Sequence, residues 1–270
     1  MTRFAVGIEY VGTAYAGWQA QASAPSIQQL TEQAFSSVAN EGVSLVCAGR
    51  TDAGVHAREQ VAHFESNAVR PLRGWLLGAN SNLPRDISVA WILPVPAHFH
   101  ARYSAETRTY RYFIYNRHVR SALVEKRAAH IHRPLEHERM RAAAPAFIGE
   151  HDFSAFRSSE CQAKSTVLRL TKLTVDRAGE WIAVEVTANA FLHHMVRNLV
   201  GVLIEIGRGE QPVEWARNVL ESRDRTQGGV TAPAEGLYMW SVEYPSAFGL
   251  PAVGGSAMIS PPSSIRPTGS

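Results

Sequence analysis

Val43-Ser44-Leu45-Val46-Cys47-Ala48-Gly49-Arg50-Thr51-Asp52-Ala53-Gly54-Val55-His56-Ala57 joins two extended segments through a turn bracketed by glycines. Val43 to Ala48 holds β-branched and apolar residues and no breaker, so it reads as a buried strand that ends at Gly49. Arg58 to Glu65 is less apolar, yet Val61 and Phe64 suit a partly buried second strand. Asp52 therefore stands on a short connection between rigid elements, where catalytic groups are often carried.

Working outward from this turn, Phe4 to Tyr10 reads as a first strand, followed by the loop Gly12-Thr13-Ala14-Tyr15-Ala16-Gly17-Trp18-Gln19. The spacing of its glycines matches no phosphate-binding fingerprint, so it reads as a plain loop. Ser26 and Gln29 form a capping-box pattern, and Ile27, Leu30, Ala34, Phe35 and Val38 recur at helical spacing, which predicts a helix over Ile27 to Ala39. Beyond the turn, Pro71 opens a helix to about Ala79, closed by Asn80-Ser81-Asn82-Leu83-Pro84. Ile87 to Val95 is a strand stopped by Pro94 and Pro96. The order strand, helix, strand, strand, helix, strand is a split β-α-β arrangement of ferredoxin-like type.

The element order then repeats. Thr107 to Asn116 is a strand with Arg108, Tyr110, Tyr112 and Ile114 on one face and Thr109, Arg111, Phe113 and Tyr115 on the other. Pro134 starts a helix to about Phe147. Leu168 to Val175 and Trp181 to Thr187 form a hairpin across Asp176-Arg177-Ala178-Gly179-Glu180. Helices over Leu192 to Ile206 and Pro212 to Leu220 precede a last strand, Leu237 to Val242. The expected fold is α+β: two ferredoxin-like (RRM-like) halves, residues 1–101 and 102–247, with antiparallel sheets joined into one extended sheet, helices on one face and a central basic cleft. From Pro245 the composition turns to Gly, Pro and Ser, so residues 248–270 are expected to be a disordered tail.

A chain of 270 residues can bury a full core. Its net charge of +3 excludes a uniform positive coat, so a site for a polyanion has to be a local patch. One is visible between Arg102 and Arg141, where ten Lys or Arg face four Glu and no Asp. Tyr103, Tyr110, Tyr112, Phe113 and Tyr115 are interleaved there, so the segment offers phosphate contacts and base-stacking faces, against the plainer reading of a solvated basic surface. Cys47 and Cys161 make no disulfide framework, which suits a reducing compartment. Met1 to Tyr10 lacks the apolar core of a secretory leader. Met195 to Ile206, the most apolar helix candidate, is too short to span a bilayer. A soluble, cytoplasmic protein with no membrane association is expected.

An isolated Asp in a turn is most often a turn former bonded to its own backbone. Arg50 and Thr51 offer Asp52 an ion pair and a hydroxyl hydrogen bond, either of which holds a carboxylate ionised and able to act as nucleophile or base. Glycoside hydrolysis ordinarily takes a second carboxylate. The nearest, Glu59, lies seven residues on in the following strand. His193-His194, read as adjacent helix residues, point about a third of a turn apart and make poor joint metal ligands. His56, His63, His98 and His100 show no ligand spacing, so structural or RNA-contact roles are expected for them. Arg197 sits among Phe191, Leu192, Met195, Val196, Leu199 and Val200, surroundings that favour burial with a partner, for which Asp52 is a candidate.

Four blocks in order resemble the tRNA pseudouridine synthases of the TruA type: Gly49-Arg-Thr-Asp-Ala-Gly-Val-His-Ala57; Phe99-His-Ala-Arg102 with Arg108-Thr-Tyr-Arg-Tyr112; Asn189-Ala-Phe-Leu-His-His-Met-Val-Arg-Asn198; and Ala232-Pro-Ala-Glu-Gly-Leu-Tyr238. The similarity spans Phe4 to Pro245. The loop Tyr10 to Gln19 is also similar, with Val11 where an Asp is common. The resemblance implies isomerisation of uridine to pseudouridine at positions 38, 39 and 40 of the tRNA anticodon arm, without cofactor or metal, by a homodimer. It implies that Asp52 is the essential carboxylate and that Tyr110 stacks on the uracil and takes the C5 proton. It further implies that Arg197 pairs with Asp52, Arg50 holds the flipped nucleotide and Leu237 walls the uracil pocket. The alternative from another class is a non-catalytic RNA-binding protein of two RRM-like halves. A third reading is a metal-dependent hydrolase using the histidines.

Overall fold

The computed structural model describes residues 1–21, 24–161 and 165–251. They form ten strands and five α-helices, a fold of the α+β class. Two compact units divide them: residues 1–110, 187–190 and 237–250 make the first, and residues 111–186 and 191–236 lie in the second.

In the first unit, β1 (Thr2–Tyr10) pairs antiparallel with β3 (His56–Ser66) on one side and with β4 (Ile87–Val95) on the other. The short β2 (Val46–Cys47) pairs antiparallel with β3 at His63 and Ala62. Helices α1 (Ile27–Ala39) and α2 (Leu72–Asn82) are fixed by one aromatic cluster. Phe64 of β3 stands at its centre, with ring centroids 4.8 Å from Phe35 of α1, 5.4 Å from Phe4 of β1 and 5.4 Å from Trp75 of α2. All four rings are buried, each contributing on the order of 2–3 kcal/mol.

α1 has the expected bounds because its start is encoded locally: the Ser26 hydroxyl accepts the Gln29 N–H at 3.3 Å. The strand expected over Val43 to Ala48 is reduced to two residues, since side chains of α1 take the backbone before it. Val43 N–H donates to Ser36 Oγ and Leu45 N–H to Glu32 Oε1. Pro94 lies inside β4 and does not stop it, because β4 is an edge strand, where a missing N–H breaks no ladder bond. β3 is more buried than its composition suggests, with β1 on one side and a parallel partner, β10 (Leu237–Glu243), on the other. The sequence order assigned Leu237 to Val242 to the second half, but its pairing with β3 puts it in the first unit. The β3–β10 pair is parallel, because β10 returns from far along the chain and not through a hairpin.

β5 (Thr107–Asn116) has the expected bounds; its last six residues belong to the second unit. There they pair parallel with β6 (Ala129–Ile131). β7 (Gly149–Asp152), β8 (Val167–Ala178) and β9 (Trp181–Ala188) complete the strands, with Gly179 at φ +60 in the tight β8–β9 turn. Helix α3 (His137–Ala143) starts three residues after Pro134, because Asn116 holds the preceding backbone straight. Its Nδ2 donates to the Ile131 and Arg133 carbonyls and its Oδ1 accepts from Leu135 N–H. A 3-10 turn, Ala144–Phe147, carries that helix to its expected end. Helix α4 (Met195–Gly207) begins after His194, whose φ of +65 interrupts the helix expected from Leu192. α5 (Trp215–Ser222) ends at Arg223, also left-handed.

Near the change of composition at Pro245, Ser246–Phe248 form a 3-10 turn whose Phe248 packs on Phe99. The expected tail from residue 252 onward lies outside the described residues. No helix among the described residues is long and apolar enough to cross a membrane.

Candidate active site

In the first unit the chain leaves β2, passes Gly49 and Arg50, and reaches Asp52 in a turn closed by Val55 N–H donating to the Asp52 carbonyl at 3.1 Å. Gly54, at φ +80, takes the third turn position, the left-handed site that a type II turn reserves for glycine. The underside is fixed by hydrogen bonds: Gln60 Nε2 donates to the Gly49 carbonyl at 2.6 Å, Trp18 N–H to the Thr51 carbonyl at 3.0 Å, and the Tyr10 and Thr51 hydroxyls lie 2.7 Å apart. Arg50 is exposed, Thr51 buried and Asp52 half-buried.

The loop after β1, expected to be a plain connection, is a brace for this turn. A Cβ on Gly17 would stand 2.5 Å from the Thr51 carbonyl oxygen, and one on Gly12 would stand 1.8 Å from that of Val55. Gly12 N–H also donates to His56 Nδ1 at 3.0 Å. Both glycines permit close backbone approach, a role their spacing could not reveal.

Tyr110 belongs to the first four residues of β5 and is buried. Its hydroxyl lies over Gly49, 3.7 Å from where a Cβ there would be. Burial pushes its pKa upward, the Asp52 carboxylate adds to the rise, and the Arg108 guanidinium opposes it. Asp52 and Tyr110 are therefore electrostatic neighbours. Leu237 is buried at the start of β10, one residue before the pairing of Tyr238 with His56. The first unit thus carries Arg50, Asp52, Tyr110 and Leu237. Arg197 is on α4 in the second unit, where its Nε donates to the Ala232 carbonyl at 2.8 Å and its own carbonyl accepts from Ala232 N–H at 3.1 Å.

Several expectations change. His193 and His194 precede α4, with rings 4.1 Å apart, so helical spacing does not separate them. Of the five interleaved aromatics, Tyr103 is exposed; Tyr110, Tyr112, Phe113 and Tyr115 are buried, because β5 is covered on both faces. Many of the segment's cations have partners in their own unit: Arg111 with Glu185, Arg117 with Glu180, Arg133 with Glu210, Arg141 with Glu138, and Arg139 with the Ile206 and Gln211 carbonyls. A charge count in that segment overstates what a polyanion meets. His63 is a core residue whose Nδ1 accepts from Ala101 N–H, and burial lowers its pKa to about 4. Burial likewise pushes the Cys47 thiol up to about 12, which leaves it unreactive.

With this geometry in view, comparison with known proteins places the chain among enzymes that modify tRNA. The family model described as tRNA pseudouridine synthase matches residues 7–104 and 143–245, and the chain belongs to that family. It is accordingly an isomerase, and its substrate is tRNA. The chain is 53% identical over 253 residues to tRNA pseudouridine synthase A of Hydrogenovibrio crunogenus, covering 94% of this chain and 97% of that protein. It is also 53% identical to the protein of the same name from Pseudomonas aeruginosa, covering 93% of this chain and 88% of that one. With the Coxiella burnetii protein of that name it shares 51% identity over 93% of this chain and 96% of that one. Membership favours the enzyme over the non-catalytic RNA-binding alternative.

Proposed function

We propose that the chain isomerises uridines 38, 39 and 40 in the tRNA anticodon arm, with Asp52 as the essential carboxylate. The observation that carries this reading is the Asp52 turn, fixed from beneath by Gln60, Trp18 and Tyr10 and adjoining the buried hydroxyl of Tyr110. The reaction breaks the N1–C1′ bond, turns the uracil and joins C5 to C1′; the C5 proton leaves and N1 ends protonated. Atoms and oxidation state are conserved, so no redox cofactor is called for. A uridine in a stem must leave its stack before C1′ and C5 can be reached. Tyr110 receives the uracil face and handles the C5 proton. Leu237 supplies an apolar wall, and Arg50, exposed on the turn, holds the flipped nucleotide by its phosphate. In the resemblance Arg197 pairs with Asp52. A homodimer working in the cytoplasm completes the reading.

Tritium release from tRNA labelled at C5 of uridine tests it, with the native protein beside Asp52→Asn. Release abolished in the variant while tRNA binding persists is the expected result, and unchanged release would remove Asp52 from the chemistry. Transcripts with cytidine at 38, 39 or 40 test the positions: release should fall with each uridine removed and vanish when all three are gone.

A further inference from the structure

Arg108 lies two residues before Tyr110 on β5 and is 8% exposed. Its guanidinium donates to three main-chain carbonyls from three segments, all in the first unit. Nη1 reaches Asn189 at 2.7 Å, and Nη2 reaches Arg102 at 2.6 Å and Ala48 at 3.2 Å. Among the described residues its hydrogen-bond partners are these neutral oxygens. Burying a cation in this way costs desolvation that carbonyls offset only in part, and burial pulls the Arg108 pKa downward. An apolar side chain of the same length would avoid the desolvation but leave the three carbonyls without this donor, so stability by itself does not say why these three segments are joined.

The place of the three carbonyls does. Ala48 immediately precedes Gly49 at the head of the Asp52 turn, and its N–H is already tied to the Val61 carbonyl at 2.7 Å. The planar fork of Arg108, rooted on the strand that carries Tyr110, therefore grips the stem that carries Asp52. The same guanidinium eases ionisation at both Tyr110 and Tyr244. We infer that Arg108 is a positioning residue of the isomerisation, tying the strand of Tyr110 to the stem of the Asp52 turn so that phenol and carboxylate keep one separation. This rests on the roles proposed above for Asp52 and Tyr110. Lysine keeps the charge but has no fork to span three oxygens, and a misplacement of about 1 Å costs on the order of 100-fold in rate.

The test uses the full chain with 5-tritiated tRNA and the variants Arg108→Lys, Arg108→Gln and Asp52→Asn. Single-turnover rate at saturating tRNA, tRNA affinity and melting temperature are measured for each. The expected result is a rate about 100-fold lower for Arg108→Lys and lower again for Arg108→Gln, with affinity unchanged and both variants folded at the assay temperature. Native rates in both would overturn the inference. So would a parallel decline of rate, affinity and melting temperature, or failure of both variants to fold, since each marks a merely structural arginine. Turnover surviving in Asp52→Asn would instead overturn the underlying reading, whatever the Arg108 variants do.

Discussion

The carboxylate of Asp52 pushes up the pKa of the Tyr110 hydroxyl, adding to the larger effect of burial. A negative charge on the Tyr110 oxygen is thereby made more costly, and in the resting enzyme the phenol is neutral. A neutral phenol donates a hydrogen bond; it becomes a proton acceptor only as its own proton is passed on.

Tyr110→Phe keeps the ring and deletes the hydroxyl. Turnover should fall by about 10²- to 10⁴-fold, the usual worth of a positioned acid or base, with tRNA affinity retained. Single-turnover tritium release beside a binding isotherm checks this. Near-native turnover would leave Tyr110 with a packing role alone.

Gly17→Ala tests the brace beneath the turn. An alanine there has to hold φ near +92, where L side chains are strained by about 1–3 kcal/mol, and its Cβ would stand 2.5 Å from the Thr51 carbonyl oxygen. Loss of stability should be accompanied by a loss of turnover, because the relief available is displacement of Thr51 and Asp52. Gly42→Ala is the control, as nothing lies within 4 Å of its added methyl. Equal turnover in the two variants would separate the loop from the site.

What could be read from the sequence was what is encoded locally. The α1 cap at Ser26, the bounds of β5 and the Asp52 turn between strands all depend on near neighbours, and all stand where expected. The three- and four-residue strands β6 and β7 gave no pattern, since pairing partners far along the chain define them. Helix starts at Pro134 and Leu192 were read too early because Asn116 and the left-handed His194 act against propensity. Arg108 illustrates the deeper limit. In a run of cations it reads as surface charge, and only the three carbonyls converging on it show a buried group.

Tyr103 is the exposed aromatic of the basic segment, and its mount is ordered. The ring lies 4.3 Å from that of His100, whose Nδ1 accepts the N–H groups of Arg102 and Tyr103, and the Arg102 guanidinium is 5.7 Å from the ring centre. Tyr103→Ala should weaken tRNA binding by about 1–3 kcal/mol, the worth of one stacked base, without changing its salt dependence. Arg102→Ala should flatten that dependence by about one phosphate contact. Titration at several salt concentrations distinguishes them, and unaltered affinity in both would remove this surface from the tRNA interface.

Glu59 gives a pH dependence of stability independent of catalysis. Its carboxyl is buried on β3, where Trp91 Nε1 donates to Oε1 at 3.2 Å while Oε2 has no partner among the described residues. Gly7 makes room for the indole, since a Cβ there would meet Trp91 Nε1 at 2.1 Å. Burial raises the pKa from 4.5 to about 7, with the Trp91 bond and the Arg58 charge acting the other way. The native state therefore holds this proton more tightly than the unfolded chain. Its stabilising effect is full below about pH 4.5, declines as the pH rises and is lost above about 7. Glu59→Gln retains the acceptor for Trp91 and removes the titration. Relative to the native protein, the variant should gain on the order of 3 kcal/mol between pH 4 and pH 8. Urea unfolding of both proteins at the two pH values measures the gain. A difference that does not change with pH would mean that Glu59 titrates alike in the folded and unfolded chains, and that its burial is relieved by water or by movement of β4.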